Sequence, residues 1–333
     1  MILVAVDAMG GDRAPDETVA GAADAASHQI QPVLYGSAAL DTRGLPFVEA
    51  VGVIEMDESP VESVRAKPDS SLVKAVRAVA DGEADAVVSA GSTGAALAAS
   101  LLHIRRLPGV HRPAIAVAIP ARRGPTVLID AGANADARPE HLLQFAHMGV
   151  VFAQEILGIE DPGVRLLSIG EEDEKGNQLV LEANALLRAS TLRFLGNTES
   201  RRLLEGDSDV VVSDGFTGNV ALKALEGTIR SVLDFLREEL GATARGKLGG
   251  LLVRPAARRV HARLDSETYG GAYLLGLRGL VVIAHGSSSP VAIANAIRLA
   301  ARGVEHDIVA RLEERLAAGV LASARSTTPT ADK

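Results

Sequence analysis

Val87-Val88-Ser89-Ala90-Gly91-Ser92-Thr93-Gly94-Ala95 joins the run Asp85 to Val88 to an Ala- and Leu-rich segment, Ala95 to Leu102. The order reads as strand, tight turn, helix. Such a turn leaves backbone N–H groups free at a helix N-terminus, where the helix dipole is positive. Gly91, Ser92, Thr93 and Gly94 are therefore candidates to bind phosphate or another anion without a charged side chain. Taken alone, the turn is better read as an ordinary bend in which glycine only permits tight geometry. The same design recurs along the chain, and the recurrence shifts the reading toward function.

Outward from this turn, short β-branched runs alternate with longer helical patterns. Strands are expected at Ile2–Asp7, Val33–Tyr35, Gly52–Met56, Ala86–Ser89, Ala114–Ile119, Val127–Asp130, Val164–Ile169, Leu192–Leu195, Val210–Ser213 and Leu280–His285. Helices are expected at Ala14–Ser27, Ser71–Ala80, Thr93–Arg105, Pro139–Leu157, Gln178–Arg188, Thr217–Leu240 and Pro290–Arg302. This alternation predicts an α/β fold with a doubly wound, mostly parallel sheet. Ligands of such sheets bind beyond the carboxyl ends of the strands, so the polar clusters after them are expected along one sheet edge. One α/β unit over residues 1–325 is expected, with a polar, disordered tail at 326–333.

The chain has 333 residues, 47% hydrophobic, with net charge −8, 3% aromatics and no cysteine. An acidic, aromatic-poor chain does not suit nucleic acid. Without cysteine, disulfides, thiolate catalysis and Cys-based metal sites are excluded. The opening on Ile2-Leu3-Val4 has no basic region or signal-type cleavage site before it. No apolar run reaches the ~20 residues that span a bilayer, so a cytoplasmic location is expected. No two glycines are spaced as G-x-G, which removes the dinucleotide fingerprint. Gly241 to Lys247 imitates a P-loop, but Leu248 stands at the Mg²⁺-binding position and no strand precedes it. No G-x-S-x-G elbow occurs. The acidic groups Asp12/Asp16/Glu17 and Glu171 to Glu174 read as solvated turns before they read as metal sites, and neither a metal nor a cofactor is expected.

Each remaining cluster has a functional and a plain structural reading. Asp7-Ala8-Met9-Gly10-Gly11-Asp12 closes the first strand, and Gly10 and Gly11 let backbone approach a ligand; otherwise it is a capped turn. Asp130-Ala131-Gly132-Ala133-Asn134 repeats that form. In the loop Ile169 to Asn177, Lys175 stands among four acids. It suits a phosphate or a developing oxyanion as a point charge, or it is a surface lysine paired with its neighbours. Asn177, Asn197 beside Gly196, and Asn219 are candidate oxyanion donors. Asp214-Gly215-Phe216-Thr217-Gly218-Asn219 opens a further helix that Thr217 or Asn219 can cap. His285-Gly286-Ser287 ends the last strand just before Pro290, and His285 is read as a proton donor or phosphate ligand.

Arg245 to Leu264 breaks the alternation. It carries six Lys or Arg and no acid. Leu248, Leu251 and Leu252 share a helical face, and Pro255 divides the segment, so a hairpin of two short helices is expected at about 241–265. The cations Arg254, Arg258, Arg259 and Arg263 with the leucines suit an anionic membrane surface or an acidic protein. A solvated helix packed on the body or on a second subunit is the even alternative.

Taken together, DAMGGD (Asp7–Asp12), KPDSSL (Lys67–Leu72), ADAVVSAGSTGA (Ala84–Ala95), DAGAN (Asp130–Asn134), IGEEDEKGN (Ile169–Asn177), VVSDGFTGNVALK (Val211–Lys223) and HGSS (His285–Ser288) resemble the PlsX family of phosphate acyltransferases from Ile2 to Ala301. The chain departs from the family at Tyr273 in Gly270-Gly271-Ala272-Tyr273 and at Glu199 to Arg202. The resemblance implies a homodimer with a phosphotransacetylase- and isopropylmalate-dehydrogenase-like fold. It implies acyl transfer from acyl-ACP to inorganic phosphate for phospholipid synthesis, peripheral membrane association, and a membrane glycerol-3-phosphate acyltransferase that takes the product. A phosphotransacylase for acyl-CoA and a silent lipid- or ACP-binding scaffold are the alternatives. Direct attack of phosphate is expected, with Lys175, Asn177, Asp214, Asn219 and His285 as catalytic candidates. Asp7, Gly10, Gly11, Gly91, Ser92, Thr93, Gly94, Asn134, Gly196, Asn197, Gly215, Thr217, Gly218, Gly286 and Ser287 are candidates to hold substrate.

Overall fold

The computed structural model describes residues 1–264 and 270–326. The chain runs β1 (Ile2–Asp7), α1 (Asp16–Ala25), β2 (Ile30–Gly36), β3 (Phe47–Glu49), α2 (Pro60–Ala66), α3 (Ser71–Ala80), β4 (Ala86–Ser89) and α4 (Thr93–His103). It continues through β5 (Ala114–Ile119), β6 (Thr126–Ile129), α5 (Pro139–Glu155), β7 (Val164–Leu167), α6 (Gln178–Ala189), β8 (Phe194–Thr198), β9 (Val210–Val212) and α7 (Gly215–Ala242). It closes with α8 (Ala244–Leu264), β10 (Ala272–Leu275), β11 (Leu280–Ile283), α9 (Pro290–Glu305) and α10 (Ile308–Ser326).

The strands form one sheet in the order β3-β2-β1-β4-β11-β10-β5-β6-β9-β7-β8. Period-two alternation divides its two faces. Val4 and Val6, Ala86 and Val88, and Val127 and Ile129 point into a core shared with α1, α5, α6, α9 and α10. Ala5, Val87 and Leu128 point into the opposite core with α2, α3 and α4, against which Leu222 and Leu225 of α7 pack. Both faces are covered, so the strands are apolar throughout.

The direction of the strands decides where the site lies. β1, β2, β3, β4 and β11 are mutually parallel. β10 runs against β11 and against β5, and β6 runs against β5. β6, β9, β7 and β8 are again mutually parallel, but their common direction opposes that of the first block. The sheet is mostly parallel as expected, yet its two blocks end at opposite edges. The expectation that all the polar junctions line one edge is therefore corrected.

Three local expectations are also corrected. Gly52–Met56 is not a strand: Gly52 has φ +100°, and Ile54 is buried from a loop while Phe47–Glu49 forms the edge strand. The basic segment is not two short helices. α8 passes through Pro255 unbroken and pairs with α7 as its hairpin partner. The amide that proline lacks would have met a carbonyl on an exposed helix, where water replaces it. β10 was not expected at all. Residues 327–333 of the tail lie outside the described residues.

Candidate active site

Three βα junctions of the first block meet at one point. The Asp12 amide donates to the Gly286 carbonyl at 2.8 Å, joining the loop after β1 to the loop after β11. A Cβ on Gly10 would stand 2.8 Å from the Gly91 nitrogen and 2.4 Å from Asp7 Oδ2. Only glycine allows the loops after β1 and β4 to approach this closely. Ser92 caps α4, its hydroxyl accepting the Ala95 amide. That leaves the Thr93 and Gly94 amides in the uncapped first turn. Gly94 packs under Pro60 of α2, while Thr93 is exposed.

His285 stands exposed at the same edge. Its Nδ1 accepts the Ser287 amide at 3.2 Å and lies 2.8 Å from the Ser287 hydroxyl. A backbone N–H can only donate, so the neutral ring carries its proton on Nε2, available to a ligand. Ser289 caps α9 by accepting the Ala292 amide. Gly10, Gly11, Arg13, Ala90, Gly286 and Ser288 line a shallow hollow beside these turns. Asp7 beneath them is buried, and burial pushes its carboxyl above the ordinary carboxylate value. Of the expected site residues, Asp7, Gly10, Gly11, Gly91, Ser92, Thr93, Gly94, His285, Gly286 and Ser287 thus come together as one cradle.

The second group lies at the opposite edge. Asp130 organises it. Its Oδ1 accepts the amides of Ile115, Gly132 and Ala133 at 2.9, 3.1 and 2.9 Å. Its Oδ2 accepts the amide and the side-chain amide of Asn134, both at 2.8 Å. Gly215 and Gly218 at the start of α7 pack against this loop, and a Cβ on Gly218 would stand 2.0 Å from the Asp130 carbonyl oxygen. Asp214 caps α7 through the Thr217 amide. Asn219 is exposed and borders Gly132.

Beside it, Asn197 is buried. Its Nδ2 donates to the Glu172 carbonyl at 2.8 Å and its Oδ1 accepts from Asn184 at 2.9 Å. Asn197 is thus a strut under the acidic loop, near Gly196. Asn177 spends its Oδ1 on the Val180 amide as the cap of α6. Glu171 pairs with Arg202 and Asp173 with Arg188, so these acids orient cations. Lys175 is exposed. Within one chain, then, Lys175, Asn177, Asn197, Asp214 and Asn219 do not reach the cradle.

The hairpin of α7 and α8 is the third feature. Leu248, Leu251 and Leu252 are 63%, 63% and 75% exposed. Phe216, Val232 and Phe235 of α7 are exposed too. Near the end of α8, Arg263 donates to the carbonyl of Arg122, fastening that end to the body. No helix among the described residues is long and apolar enough to cross a membrane.

Sequence reasoning missed three participants. Ser89 bridges Asp7 and the Gly91 amide, Asp130 is the keystone of its loop, and Arg13 lines the hollow. The signal for the first two was a polar residue ending a wholly apolar strand.

The chain matches the model of a family described as fatty acid synthesis protein over residues 2–311. It is 47% identical over 325 residues to a protein named Phosphate acyltransferase from Heliobacterium modesticaldum, covering 94% of this chain and 97% of that one. Its fold is similar to a branched-chain phosphotransacylase from Enterococcus faecalis, with TM-score 0.59, 20% identity and coverage of 92% and 100%. It is also similar to a 4-hydroxythreonine-4-phosphate dehydrogenase from Klebsiella pneumoniae, with TM-score 0.52, 14% identity and coverage of 90% and 98%.

Proposed function

The chain belongs to the fatty acid synthesis protein family and is an acyltransferase; from that premise we propose that it moves a fatty acyl group from acyl-ACP to inorganic phosphate, giving acyl phosphate and free ACP for phosphatidic acid synthesis. The observation that carries this reading is the cradle. Three glycine-rich junctions converge there on helix amides, a setting suited to a small anion. The chain has no cysteine, which favours direct attack over a thioester-linked acyl-enzyme.

In this mechanism the Thr93 and Gly94 amides and the dipole of α4 hold phosphate. One phosphate oxygen attacks the thioester carbonyl carbon. The tetrahedral oxyanion collapses, the C–S bond breaks, and the ACP thiolate leaves. A thiolate needs little help to depart, and the Nε2–H of His285 is the nearby donor. Lys175, Asn177 and Asn219 remain proposed for charge neutralisation and oxyanion donation. Because they sit at the other edge, that role requires a second copy of the chain to bring them to the cradle. The homodimer is proposed on the same ground. The exposed leucines and arginines of the hairpin are proposed to dock on an anionic membrane surface, beside the membrane acyltransferase that consumes the product.

The fold shared with a phosphotransacylase favours a second reading, in which acyl-CoA is the donor. Acyl phosphate formation, measured with acyl-ACP and acyl-CoA of matched chain length, separates the two. Turnover with acyl-ACP is expected to dominate; preference for a short acyl-CoA would overturn the donor assignment. No product from either would leave a scaffold.

A further inference from the structure

Asp7 ends β1 and is 2% exposed. Its Oδ2 accepts the hydroxyl of Ser89 at 2.7 Å. The Ser89 oxygen accepts the Gly91 amide at 3.0 Å, since a backbone N–H can only donate. The Gly91 amide therefore donates to Ser89 in either protonation state of Asp7, while the Ser89–Asp7 bond is donated by Ser89 to the carboxylate and by either hydroxyl when Asp7 is the neutral acid. A second hydroxyl, that of Ser71 at the start of α3, lies beside the carboxyl and favours its charged form, against the larger effect of burial. Oδ1 is buried with no hydrogen-bond partner of normal geometry. A carboxylate would leave charge on that bare oxygen, which is costly; the neutral acid would not. The group lies directly under the turn, since a Cβ on Gly91 would stand 3.4 Å from Oδ2.

We propose that Asp7 is a positioning residue for phosphate: as the neutral acid it anchors, through Ser89 and the Gly91 amide, the turn that presents the α4 amides, and as a carboxylate it opposes the anion held there. This rests on the reading of that turn as the phosphate cradle. Burial raises the Asp7 pKa, against the pull of the Ser71 and Ser89 hydroxyls and the Met9 and Gly10 amides, so the neutral form persists above the ordinary carboxylate range. The other ionisable groups around the cradle are Tyr35 on β2, Asp12 and Arg13 after β1, and Glu17 on α1. The Lys67–Glu58 pair flanks α2, and His285 follows β11. Of these, His285 stands at the cradle itself, so a variant without its imidazole is included in the test.

The test is the phosphate KM as a function of pH in the full-length enzyme, for wild type, Asp7→Asn, Ser89→Ala and His285→Asn. The titration of phosphate itself is common to all four. In wild type and His285→Asn the KM is expected to climb as Asp7 ionises; in Asp7→Asn that limb is expected to vanish. Ser89→Ala is expected to raise the phosphate KM by about tenfold or more, with kcat and the acyl-donor KM changed far less. An Asp7→Asn profile that follows wild type, or an unchanged phosphate KM in Ser89→Ala, overturns the proposal. Either variant decides if the other fails to fold. Amide NMR shifts of Ser92, Thr93 and Gly94 on titration with inorganic phosphate distinguish the underlying reading. No shift in wild type refutes the cradle. Shifts in wild type that persist with equal affinity in Asp7→Asn and Ser89→Ala refute only the role of Asp7.

Discussion

The backbone amide of Asp12 donates to the carbonyl oxygen of Gly286 at 2.8 Å, fastening the first βα junction of the chain to the last. Because β4 lies between β1 and β11 in the sheet, this bond closes a ring of three turns around the start of α4. The cradle is thus a product of topology, assembled from residues at both ends of the chain.

Gly10→Ala is expected to abolish that closure. The new methyl would lie 2.4 Å from Asp7 Oδ2, a buried carboxyl, and 2.8 Å from the Gly91 nitrogen, a backbone atom, and neither yields cheaply. A loss of about 1–3 kcal/mol of stability is expected, with phosphate binding reduced more than the binding of the acyl donor. Calorimetric titration with phosphate, beside urea unfolding, checks both.

Asp130→Asn is expected to do the reverse. Its new NH₂ would face the Asn134 amide and side-chain amide, two donors now accepted at 2.8 Å each. A buried donor set against donors costs about 3 kcal/mol. Urea unfolding should show that loss. Phosphate binding, at the other edge of the sheet, should stay near wild type in the folded fraction.

Subunit mixing tests whether Lys175 acts across two copies. Lys175→Ala and Gly10→Ala homodimers are each expected to be nearly inactive. Re-associated in equal amounts, they form one heterodimer in every two dimers, with one intact site each, and about a quarter of wild-type activity returns. Activity that stays at the level of the parents would sink the trans assignment.

His147 of α5 links stability to pH. Burial and then the charge of Arg315 push its pKa down to about 4. The unfolded value is about 6.5, so below it the unfolded chain binds the extra proton. The contribution of the neutral ring is complete above that value and is lost as pH falls toward 4, about 3 kcal/mol in all. Unfolding free energies of wild type and His147→Gln should diverge over this interval; parallel curves would contradict the assignment.

Leu248, Leu251 and Leu252, exposed on α8, are expected to drive vesicle binding. Replacing all three by Ser should remove binding to anionic vesicles, each buried leucine having contributed about 2 kcal/mol. Reversing Arg254, Arg258 and Arg259 should weaken binding to anionic but not to neutral vesicles. If the arginine variant instead raises only the KM for acyl-ACP, the basic face belongs to the carrier.

Several elements were legible because their signals are local. β1, β4 and β5 fall where their apolar runs fall, and α3 spans the expected residues. The turns after Asp7, Ser89 and Ile283 were legible from glycine and small polar residues. Strand direction was not. The period-two pattern of a strand reads the same both ways, so nothing in Val127 to Ile129 or Val210 to Val212 announces that they oppose β1. The reversal is made by β5 and by Ala272–Leu275, a strand of four residues after a glycine pair. That is why Lys175 and Asn219 were expected beside Gly91 and are found across the sheet. Asp130 escaped notice as a keystone for a related reason: its five donors come from its own loop, Gly132 to Asn134, and from Ile115 on a separate strand.

Direct attack by phosphate is tested most squarely by single-turnover release of the carrier thiol. Enzyme in excess is mixed with acyl-ACP, first without phosphate and then with it, and thiol and protein-bound acyl groups are both followed. The mechanism predicts no thiol and no acylated protein until phosphate is added, and then acyl phosphate in equal amount to the thiol. A burst of thiol without phosphate, with the acyl group recovered on the protein, would contradict it.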